Sequence, residues 1–265
     1  MAYILGFTFA DGNVYKTTLA WDLKKDKELL EKINRAMNSN YPILERKASF
    51  RLRISNPIII ENLRKLGVYP NKSKEMLFPR VPPDFFSHFT RGFFDGDGWI
   101  YIRECRNEIS IGFSSGSKHF LEKLILNLQK LTKIRLNNPR ERRRITPKGK
   151  EIVKYQADYF CGRAYDILQF LYADLNKNDL RLKRKYDKYL RAKEFYEFIS
   201  SGGRKYRVIQ RDMGLPMKQM LSKMMFEEKL NGVQIAERLE VHSSSIYRWL
   251  EKTGVRIPAS RKKDG

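Results

Sequence analysis

The chain has 265 residues and carries 53 Lys and Arg against 30 Asp and Glu, a formal net charge of +23. This excess indicates a polyanionic partner, because each phosphate that a basic side chain neutralises releases condensed counterions. Hydrophobic residues make up 42% of the chain and aromatic residues 12%, which argues against a disordered basic tail and allows a folded core.

Residues 1–78 are predicted to form a first α/β half. The segment ILGFTFADG at residues 4–12 is apolar and ends in Asp-Gly, which is typical of a helix that turns directly into a strand. The hydrophobic periods after it predict, in chain order, strands within 14–21, a helix over 27–37, strands near 42–45 and 50–55, and a helix over 57–66.

Residues 79–86 form a Pro-rich linker, because three prolines in five residues make a stiff, extended connector. Residues 87–200 then form a second half. Its segment TRGFFDGDG, at residues 90–98, is a near-copy of residues 4–12 at an offset of 86 residues. The following periods predict strands over 99–103 and 108–113, a helix over 119–131, strands around 134–136 and 153–160, and helices from Gly162 and from Leu182.

The predicted fold class is α/β (α+β), with two pseudo-symmetric αββαββα halves that contain antiparallel sheets, followed by a small all-α domain. Net charge is positive in every part: +6 for residues 1–84, +10 for 85–200 and +7 for 201–265. A contact surface along the whole molecule follows from this spread. A ribosomal or RNA-binding protein would carry a similar excess, so charge alone indicates only the class of partner.

Cys105 and Cys161 are the two cysteines, and they form no CxxC motif. This argues against a disulfide framework and a cysteine-rich zinc site. The apolar N-terminus lacks a basic leader, and no stretch approaches the roughly 20 apolar residues that cross a bilayer. We therefore expect a soluble intracellular protein with no membrane partner.

The two Asp-Gly segments carry the clearest chemical signal. Aspartate is unfavourable at the negative end of a helix dipole, so two such residues in repeated contexts, Asp11 and Asp97, predict a bound cation. Gly6 and Gly92 allow the two helices to approach closely, and the final glycine of each segment is predicted to form a left-handed cap. Packed side by side, the helices would bring both carboxylates together, in the manner of metal-assisted phosphodiester hydrolysis. The alternative is that both aspartates only form glycine-capped turns.

These segments resemble the LAGLIDADG motif of homing endonucleases in the single-chain form with two copies. The resemblance covers roughly residues 2–195 and is closer for the second copy, since the sixth position is Phe9 in the first copy and the usual acid, Asp95, in the second. It implies a monomeric, Mg²⁺-dependent, site-specific endonuclease that cuts double-stranded DNA and leaves short 3′ overhangs, with Ca²⁺ or Mn²⁺ able to substitute in binding. The implied metal ligands are Asp11 and Asp97 with main-chain oxygens of Ala10 and Gly96.

The resemblance also implies a basic residue near each scissile phosphate, in the loop after the helix that closes each half. Residues 66–74 and 180–186 match that context. We expect Lys72 and Lys183 in this role, with Lys74 and Lys185 as neighbouring alternatives, because a lysine there can stabilise the charge of the transition state. Each could instead be a solvated surface lysine. The polar residue that positions water would fall near Asp22 and Ser115.

The face of each predicted sheet that does not cover the helices is left for the DNA duplex. Arg is expected to read guanine and Gln adenine in the major groove. The predicted DNA-facing residues are Thr18, Arg51, Arg53, Tyr101, Arg103, Ser110, Lys154, Gln156 and Asp158. Residues 140–144, with Lys148 and Lys150, are predicted to form a basic hairpin that grips the DNA backbone through Arg142 and Arg143, unless they form a plain solvated loop.

Residues 204–265, set off by Ser-Ser-Gly-Gly at 200–203, are predicted to form a helix-turn-helix DNA-binding module. A helix over 233–239, a turn at 240–242 and a recognition helix over 243–253 fit its geometry and resemble the small modules of recombinases and bacterial regulators. The residues expected on the DNA are Ser244, Ser245, Tyr247 and Arg248. Core packing alone explains the apolar residues of these helices but not this polar set.

Three alternatives share parts of this pattern. A transcription regulator could reuse the nuclease scaffold beside a helix-turn-helix module, although it would normally have lost the two acids. An intron maturase would bind RNA on the same scaffold. An endonuclease embedded in an intein is disfavoured, because the chain starts Met-Ala and ends Lys-Asp-Gly without splicing residues.

Overall fold

The computed structural model of the chain describes residues 1–70, 76–103, 108–147, 149–200, 209–210 and 212–255. The chain divides into two compact units, which we call unit 1 (Met1–Tyr196) and unit 2 (Glu197–Gly265). In the part of the chain that is described, no helix is both long enough and apolar enough to cross a membrane.

The first part of unit 1 contains three helices and one sheet. Its elements are α1 (Ala2–Asp11), β1 (Asn13–Tyr15), β2 (Thr18–Leu23), α2 (Lys27–Ala36), β3 (Ile43–Arg46), β4 (Ser49–Ser55) and α3 (Pro57–Lys65). The four strands form an antiparallel sheet in the order β1-β2-β4-β3. Asn56 starts α3, because its side chain accepts a hydrogen bond from the backbone N–H of Ile59 and Pro57 takes the first helical position.

The second part repeats this order and adds a helix. Its elements are α4 (Pro83–Asp97), β5 (Gly98–Arg103), β6 (Glu108–Ser115), α5 (Lys118–Thr132), β7 (Arg140–Ile145), β8 (Glu151–Phe160), α6 (Cys161–Tyr172) and α7 (Lys183–Ser200). The second sheet is also antiparallel, in the order β5-β6-β8-β7. The predicted mixed α/β class with two antiparallel four-stranded sheets is confirmed.

Each sheet buries one face against helices, because apolar residues alternate with polar ones along its strands. The buried positions include Leu19, Trp21, Leu52 and Ile54 in the first sheet and Ile100, Ile109, Ile111 and Phe113 in the second. The register places the remaining alternate residues on the other side. Open face 1 carries Thr18, Asp22, Arg46, Arg51 and Arg53, and open face 2 carries Tyr101, Arg103, Ser110, Ser114, Arg140, Arg142, Arg144, Lys154, Gln156 and Asp158.

Helices α1 and α4 cross at glycines, as the sequence predicts. A Cβ atom added at Gly6 would lie 1.9 Å from the carbonyl oxygen of Phe89, and one added at Gly92 would lie 2.1 Å from that of Tyr3. No side chain fits at either position, so the backbones approach more closely than side-chain packing allows. This crossing sets the ends of the two helices side by side.

Two sequence expectations about local structure are wrong. The third strand of the second sheet lies at Arg140–Ile145 and not around 134–136. Lys133 ends α5 in a left-handed conformation, and the Leu136 N–H then donates to the Gln129 side chain, which holds the following segment outside the sheet. The final motif glycines are not left-handed caps either. Gly12 and Gly98 have extended backbones, and glycine is needed there because a Cβ would lie 2.6 Å from the carbonyl oxygen of Thr8 or of Phe94.

Unit 2 is helical in its described residues. It contains α8 (Met217–Ser222), a π-helical turn at Lys223–Glu227, α9 (Gly232–Arg238) and α10 (Ser243–Thr253). Asn231 and Gln234 form a capping box that starts α9. The helices surround a small core that includes Met220, Leu221, Ile235, Ile246, Trp249 and Leu250.

Candidate functional site

The carboxylate of Asp11 lies against the end of α4. A Cβ added at Gly96 would be 2.3 Å from the Cβ of Ala10 and 3.2 Å from Oδ2 of Asp11. Asp97 follows Gly96 directly, so the last turns of α1 and α4 bring the two motif aspartates to one place. Asp11 is exposed and Asp97 is half-buried, which leaves this end of the helix pair open to a ligand.

The side chain of Lys185 is buried against the end of α4. The Nζ atom donates hydrogen bonds to the main-chain oxygens of Asp95 at 2.8 Å and Gly98 at 2.6 Å, and to that of Phe94. The ammonium group therefore bonds to carbonyl oxygens at the end of α4, where the helix dipole is negative. Burial lowers the pKa of Lys185 to about 8, although the charge of Asp95 opposes the change.

Lys183, the lysine that the sequence favoured, has a different setting. It lies exposed on the first turn of α7 and forms an ion pair of 2.9 Å with Asp187. The hydrogen bond to Asp187 raises the pKa of Lys183. The structure thus brings Lys185, and not Lys183, to the end of the helix that carries Asp97. Lys72 and Lys74 lie outside the described residues.

Asp95 is fully buried, and hydrogen bonds from neighbouring segments of the protein satisfy its carboxylate. Its carboxylate accepts hydrogen bonds from the hydroxyl of Tyr3 at 2.7 Å, from that of Tyr172 at 2.5 Å and from the backbone N–H of Leu182 at 2.7 Å. Burial raises the pKa of Asp95. The first motif has Phe9 at this position, and its ring stacks on that of Phe120 with a centroid distance of 5.3 Å.

In the part of the chain that the structure describes, the acidic side chains at this place are those of Asp11 and Asp97, and carboxylate oxygens suit a hard divalent cation such as Mg²⁺. Among the described residues, no group of three or more His, Cys, Asp or Glu side chains is arranged to hold a metal ion. A cation here would therefore complete its coordination with main-chain, water or phosphate oxygens.

The polar residue next to Asp97 is Ser114 and not Ser115. Ser115 is buried on the core side of β6, whereas Ser114 lies on open face 2 and its hydroxyl donates to the main-chain oxygen of Asp97 at 3.2 Å. A one-residue error moves a strand side chain to the opposite face. On the first sheet, Asp22 lies on open face 1 in an ion pair with Arg51.

Open face 1 carries Arg51 and Arg53, as predicted, together with Arg46, which the sequence analysis missed. The register supplies the signal for Arg46, because Leu44 pairs with Arg51 and residue 46 therefore points the same way. Thr18 lies on this face but is buried, and its hydroxyl donates to the Tyr15 carbonyl at 2.9 Å. Its burial removes Thr18 from the candidate DNA surface.

Open face 2 carries most of the predicted DNA contacts of the second half. Tyr101, Arg103, Arg142 and Lys154 are exposed on it, and Gln156 and Asp158 are half-buried. Two predicted residues do not fit this surface. Ser110 is buried between the strand neighbours Tyr101 and Phe160. Arg143 points to the opposite side of the sheet, where it pairs with Glu141 at 2.6 Å and Glu151 at 3.5 Å. Arg140 and Arg144 lie on the same face as Arg142, so they replace Arg143 among the candidate DNA contacts.

Unit 2 places a polar helix surface next to a glycine contact. Ser244, Tyr247 and Arg248 are exposed on α10, and Ser245 is half-buried. Gly232 lets the start of α9 lie against the ring of Tyr247, because a Cβ there would be 2.9 Å from Cζ of that ring. His242 caps α10, since its Nδ1 accepts from the backbone N–H of Ser244 at 3.3 Å.

Similarity to known proteins covers parts of the chain. Over 136 residues it is 30% identical to a probable translation initiation factor IF-2 of Thermococcus kodakarensis and 29% identical to that of Methanocaldococcus jannaschii. These alignments include 48% of this chain and 11% of each relative, so the chain spans about one tenth of the length of the curated relatives it matches.

Two solved structures are similar at low identity. The LAGLIDADG meganuclease I-CpaMI bound to uncleaved DNA is 14% identical, with 76% of this chain and 92% of that chain covered and a TM-score of 0.49. Full-length DUF199/WhiA from Thermatoga maritima is 17% identical, with 95% and 88% covered and a TM-score of 0.37. The family model described as a LAGLIDADG-like domain matches residues 85–164. These residues, which run from α4 into α6, are similar to that family's domain.

Proposed function

We propose that unit 1 is a site-specific endonuclease that hydrolyses both strands of double-stranded DNA with the help of a divalent metal ion, Mg²⁺. One observation carries the proposal. The ends of α1 and α4 lie together, so that Asp11 and Asp97 converge at the edge of two sheets whose open faces carry arginine and lysine. Positive sheet faces suit the phosphate backbone, and the paired acids suit phosphodiester chemistry.

In this proposal, Asp11 and Asp97 hold the cation with main-chain oxygens of Ala10 and Gly96. A bound divalent cation supplies activation of the attacking water and stabilisation of the leaving oxygen. Lys185 acts from behind the site, since its ammonium group fixes the end of α4 and offsets the repulsion between two carboxylates. Ca²⁺ or Mn²⁺ would substitute for Mg²⁺ in binding.

We retain Lys72 and Lys183 as proposed cations near the scissile phosphates. Lys183 can approach a phosphate only if it leaves Asp187, and both side chains are exposed, so this exchange costs little. Ser114 replaces Ser115 as the polar residue beside Asp97, whereas Asp22 is held by Arg51 on open face 1.

The proposed partner is a long DNA target without strict palindromy, bound by one monomer. A single chain supplies both sheets, and their open faces differ in the identity of the charged residues. Two different faces read two different half-sites, so twofold symmetry of the target is not required. We further propose that unit 2 is a helix-turn-helix module that binds DNA through Ser244, Ser245, Tyr247 and Arg248 of α10.

The decisive experiment incubates the protein with a randomised duplex library, with and without Mg²⁺, and sequences the cut ends. We expect metal-dependent double-strand cuts with short 3′ overhangs. Asp97→Asn should abolish cutting and leave binding in Ca²⁺ largely intact, because it removes a metal ligand without changing the open faces. Asp84→Asn, at the other end of α4, is the matched control and should cut normally.

Two outcomes would contradict the proposal. Normal cutting by Asp97→Asn would show that the active site lies elsewhere. Selective binding by the unaltered protein, without cutting in any divalent metal, would favour a DNA-binding regulator on the same scaffold.

A further inference from the structure

Open face 1 contains one carboxylate among its basic side chains, that of Asp22. Its Oδ2 atom accepts a hydrogen bond from Nε of Arg51 at 2.9 Å and lies 2.7 Å from Nη2 of the same guanidinium. The guanidinium of Arg46, on β3, lies 3.9 Å from the same oxygen. A hydrogen bond from Ser49 and then Arg51 itself lower the pKa of Asp22, so the carboxylate is charged at neutral pH.

Open face 2 repeats this arrangement with different residues. Oδ1 of Asp158 accepts a hydrogen bond from the side-chain amide of Gln156 at 2.7 Å, and Oδ2 lies 3.7 Å from the guanidinium of Arg142. Asp158 and Gln156 belong to β8 and Arg142 to β7, so the carboxylate links two strands across the surface. Each sheet thus has an aspartate in contact with the residues most suited to reading bases.

A carboxylate on a DNA-facing surface opposes binding, because phosphates repel it. The carboxylate favours base reading because it holds the neighbouring side chain in one conformation before DNA binds. A free Arg or Gln side chain loses up to about 2 kcal/mol of rotamer entropy when it is fixed. Asp22 contacts Nε and Nη2 of Arg51 on one side of the guanidinium. The N–H groups on the outer side can then meet O6 and N7 of guanine. Asp158 uses one amide hydrogen of Gln156, which leaves the oxygen and the other N–H for adenine.

We propose that Asp22 and Asp158 are specificity-determining positioning residues, each of which holds a base-reading side chain on its own sheet, Arg51 for guanine and Gln156 for adenine. This rests on the proposed function only in placing DNA on the open faces. Neither aspartate contacts the base. Each fixes the side chain that does, and the two act on different half-sites.

The test is a binding selection from a randomised duplex pool in Ca²⁺, followed by sequencing of the bound fraction. Asp22→Asn should reduce the preference for guanine at one position by about tenfold or more, and Asp158→Asn should reduce that for adenine at one position of the other half-site. Overall affinity for random duplex should stay equal or rise, because each variant removes a negative charge.

Three further variants make the result specific. Arg51→Ala should remove the same guanine preference as Asp22→Asn, and the double variant should add nothing further. Gln156→Ala should do the same for Asp158→Asn. Asp187→Asn, which breaks an ion pair on α7 away from the open faces, should alter no base preference.

The proposal is overturned if Asp22→Asn or Asp158→Asn leaves the base preference at its position unchanged, or changes both half-sites together. It is also overturned if the unaltered protein enriches no sequence. The nuclease proposal fails separately, because a protein that selects a sequence but never cuts it would retain these base preferences.

Discussion

The hydroxyl of Tyr3 donates a hydrogen bond of 2.7 Å to the carboxylate of Asp95, and so joins the helix that ends at Asp11 to the helix that ends at Asp97. The other donors to Asp95 come from α6, through Tyr172, and from the residue before α7, Leu182. One buried carboxylate therefore holds four segments in register. A buried acid is stable only with such partners, because an unpaired one would lose several kcal/mol of hydration.

Tyr3→Phe should lower the free energy of unfolding by about 1–3 kcal/mol, because it leaves one oxygen of Asp95 with fewer donors in a buried place. Urea unfolding measures the change. Tyr15→Phe is the matched control, since Tyr15 is exposed on β1, and it should change stability by less than about 0.5 kcal/mol. Equal stability of the two variants would show that Asp95 does not depend on Tyr3.

Gly92→Ala should destabilise unit 1 by roughly 3 kcal/mol or more, because the added methyl group would meet the Tyr3 carbonyl at 2.1 Å and force α1 and α4 apart. Cutting should fall with it, since the aspartates would separate. Gly162→Ala, in α6, meets only the Tyr196 hydroxyl at 3.3 Å and should be neutral or slightly stabilising. A folded, fully active Gly92→Ala variant would contradict the close crossing.

The buried ammonium group of Lys185 should make stability depend on alkaline pH. Its pKa is about 8 in the folded protein and 10.5 ordinarily, so the folded state binds fewer protons than the unfolded chain in this window. The free energy of unfolding should therefore rise from pH 8 to pH 10.5, by roughly 3 kcal/mol for this residue. Urea unfolding of the unaltered protein and of Lys185→Met, compared at about pH 7.5 and about pH 9.5, isolates the effect.

Lys183→Met serves as the reference in that experiment, because Asp187 raises the pKa of Lys183 and its titration lies above the window. The difference between the unaltered protein and Lys183→Met should stay constant across the same pH range. Parallel curves for Lys185→Met as well would show that Lys185 is not buried in solution.

Deletion of residues 204–265 should shorten the protected stretch of DNA on one flank and leave the position of the cut unchanged, because the proposed catalytic residues all belong to unit 1. Footprinting measures both. Arg248→Ala should weaken binding by roughly 1–3 kcal/mol if this arginine contacts a base, whereas Arg238→Ala, which breaks an ion pair with Glu228, should not. An unchanged footprint after the deletion would mean that unit 2 contacts protein instead of DNA.

The helices and most strands could be predicted from the sequence because one side of each is apolar. The strand at Arg140–Ile145 has no hydrophobic alternation, since all six of its residues are exposed, so only its run of basic residues indicated a hairpin there. The motif repeat likewise indicated the convergence of Asp11 and Asp97. It could not distinguish Lys183 from Lys185, because two positions along a helix change the direction of a side chain by about half a turn.

The direction of strand side chains set a second limit. Ser114 and Ser115 are adjacent and chemically identical, and only the pairing of Gly98 with Phe113 shows which of them faces Asp97. The same pairing information separates Arg142 from Arg143. Composition and spacing predict that the surface is positively charged, but the strand register is needed to tell which charged side chains lie on it.

The crossing of α1 and α4 also constrains how this protein can change over generations. Gly6 faces the Phe89 carbonyl and Gly92 faces that of Tyr3. In each half, the space that a side chain would need is therefore occupied by the backbone of the other half. A substitution within the same half cannot relieve the clash caused by a larger residue at either glycine, because the clashing backbone belongs to the other half. A half taken from a relative should therefore fold against the other half only if it brings its own glycine at the crossing and its own partner for the Tyr3–Asp95 hydrogen bond, which limits recombination between the halves.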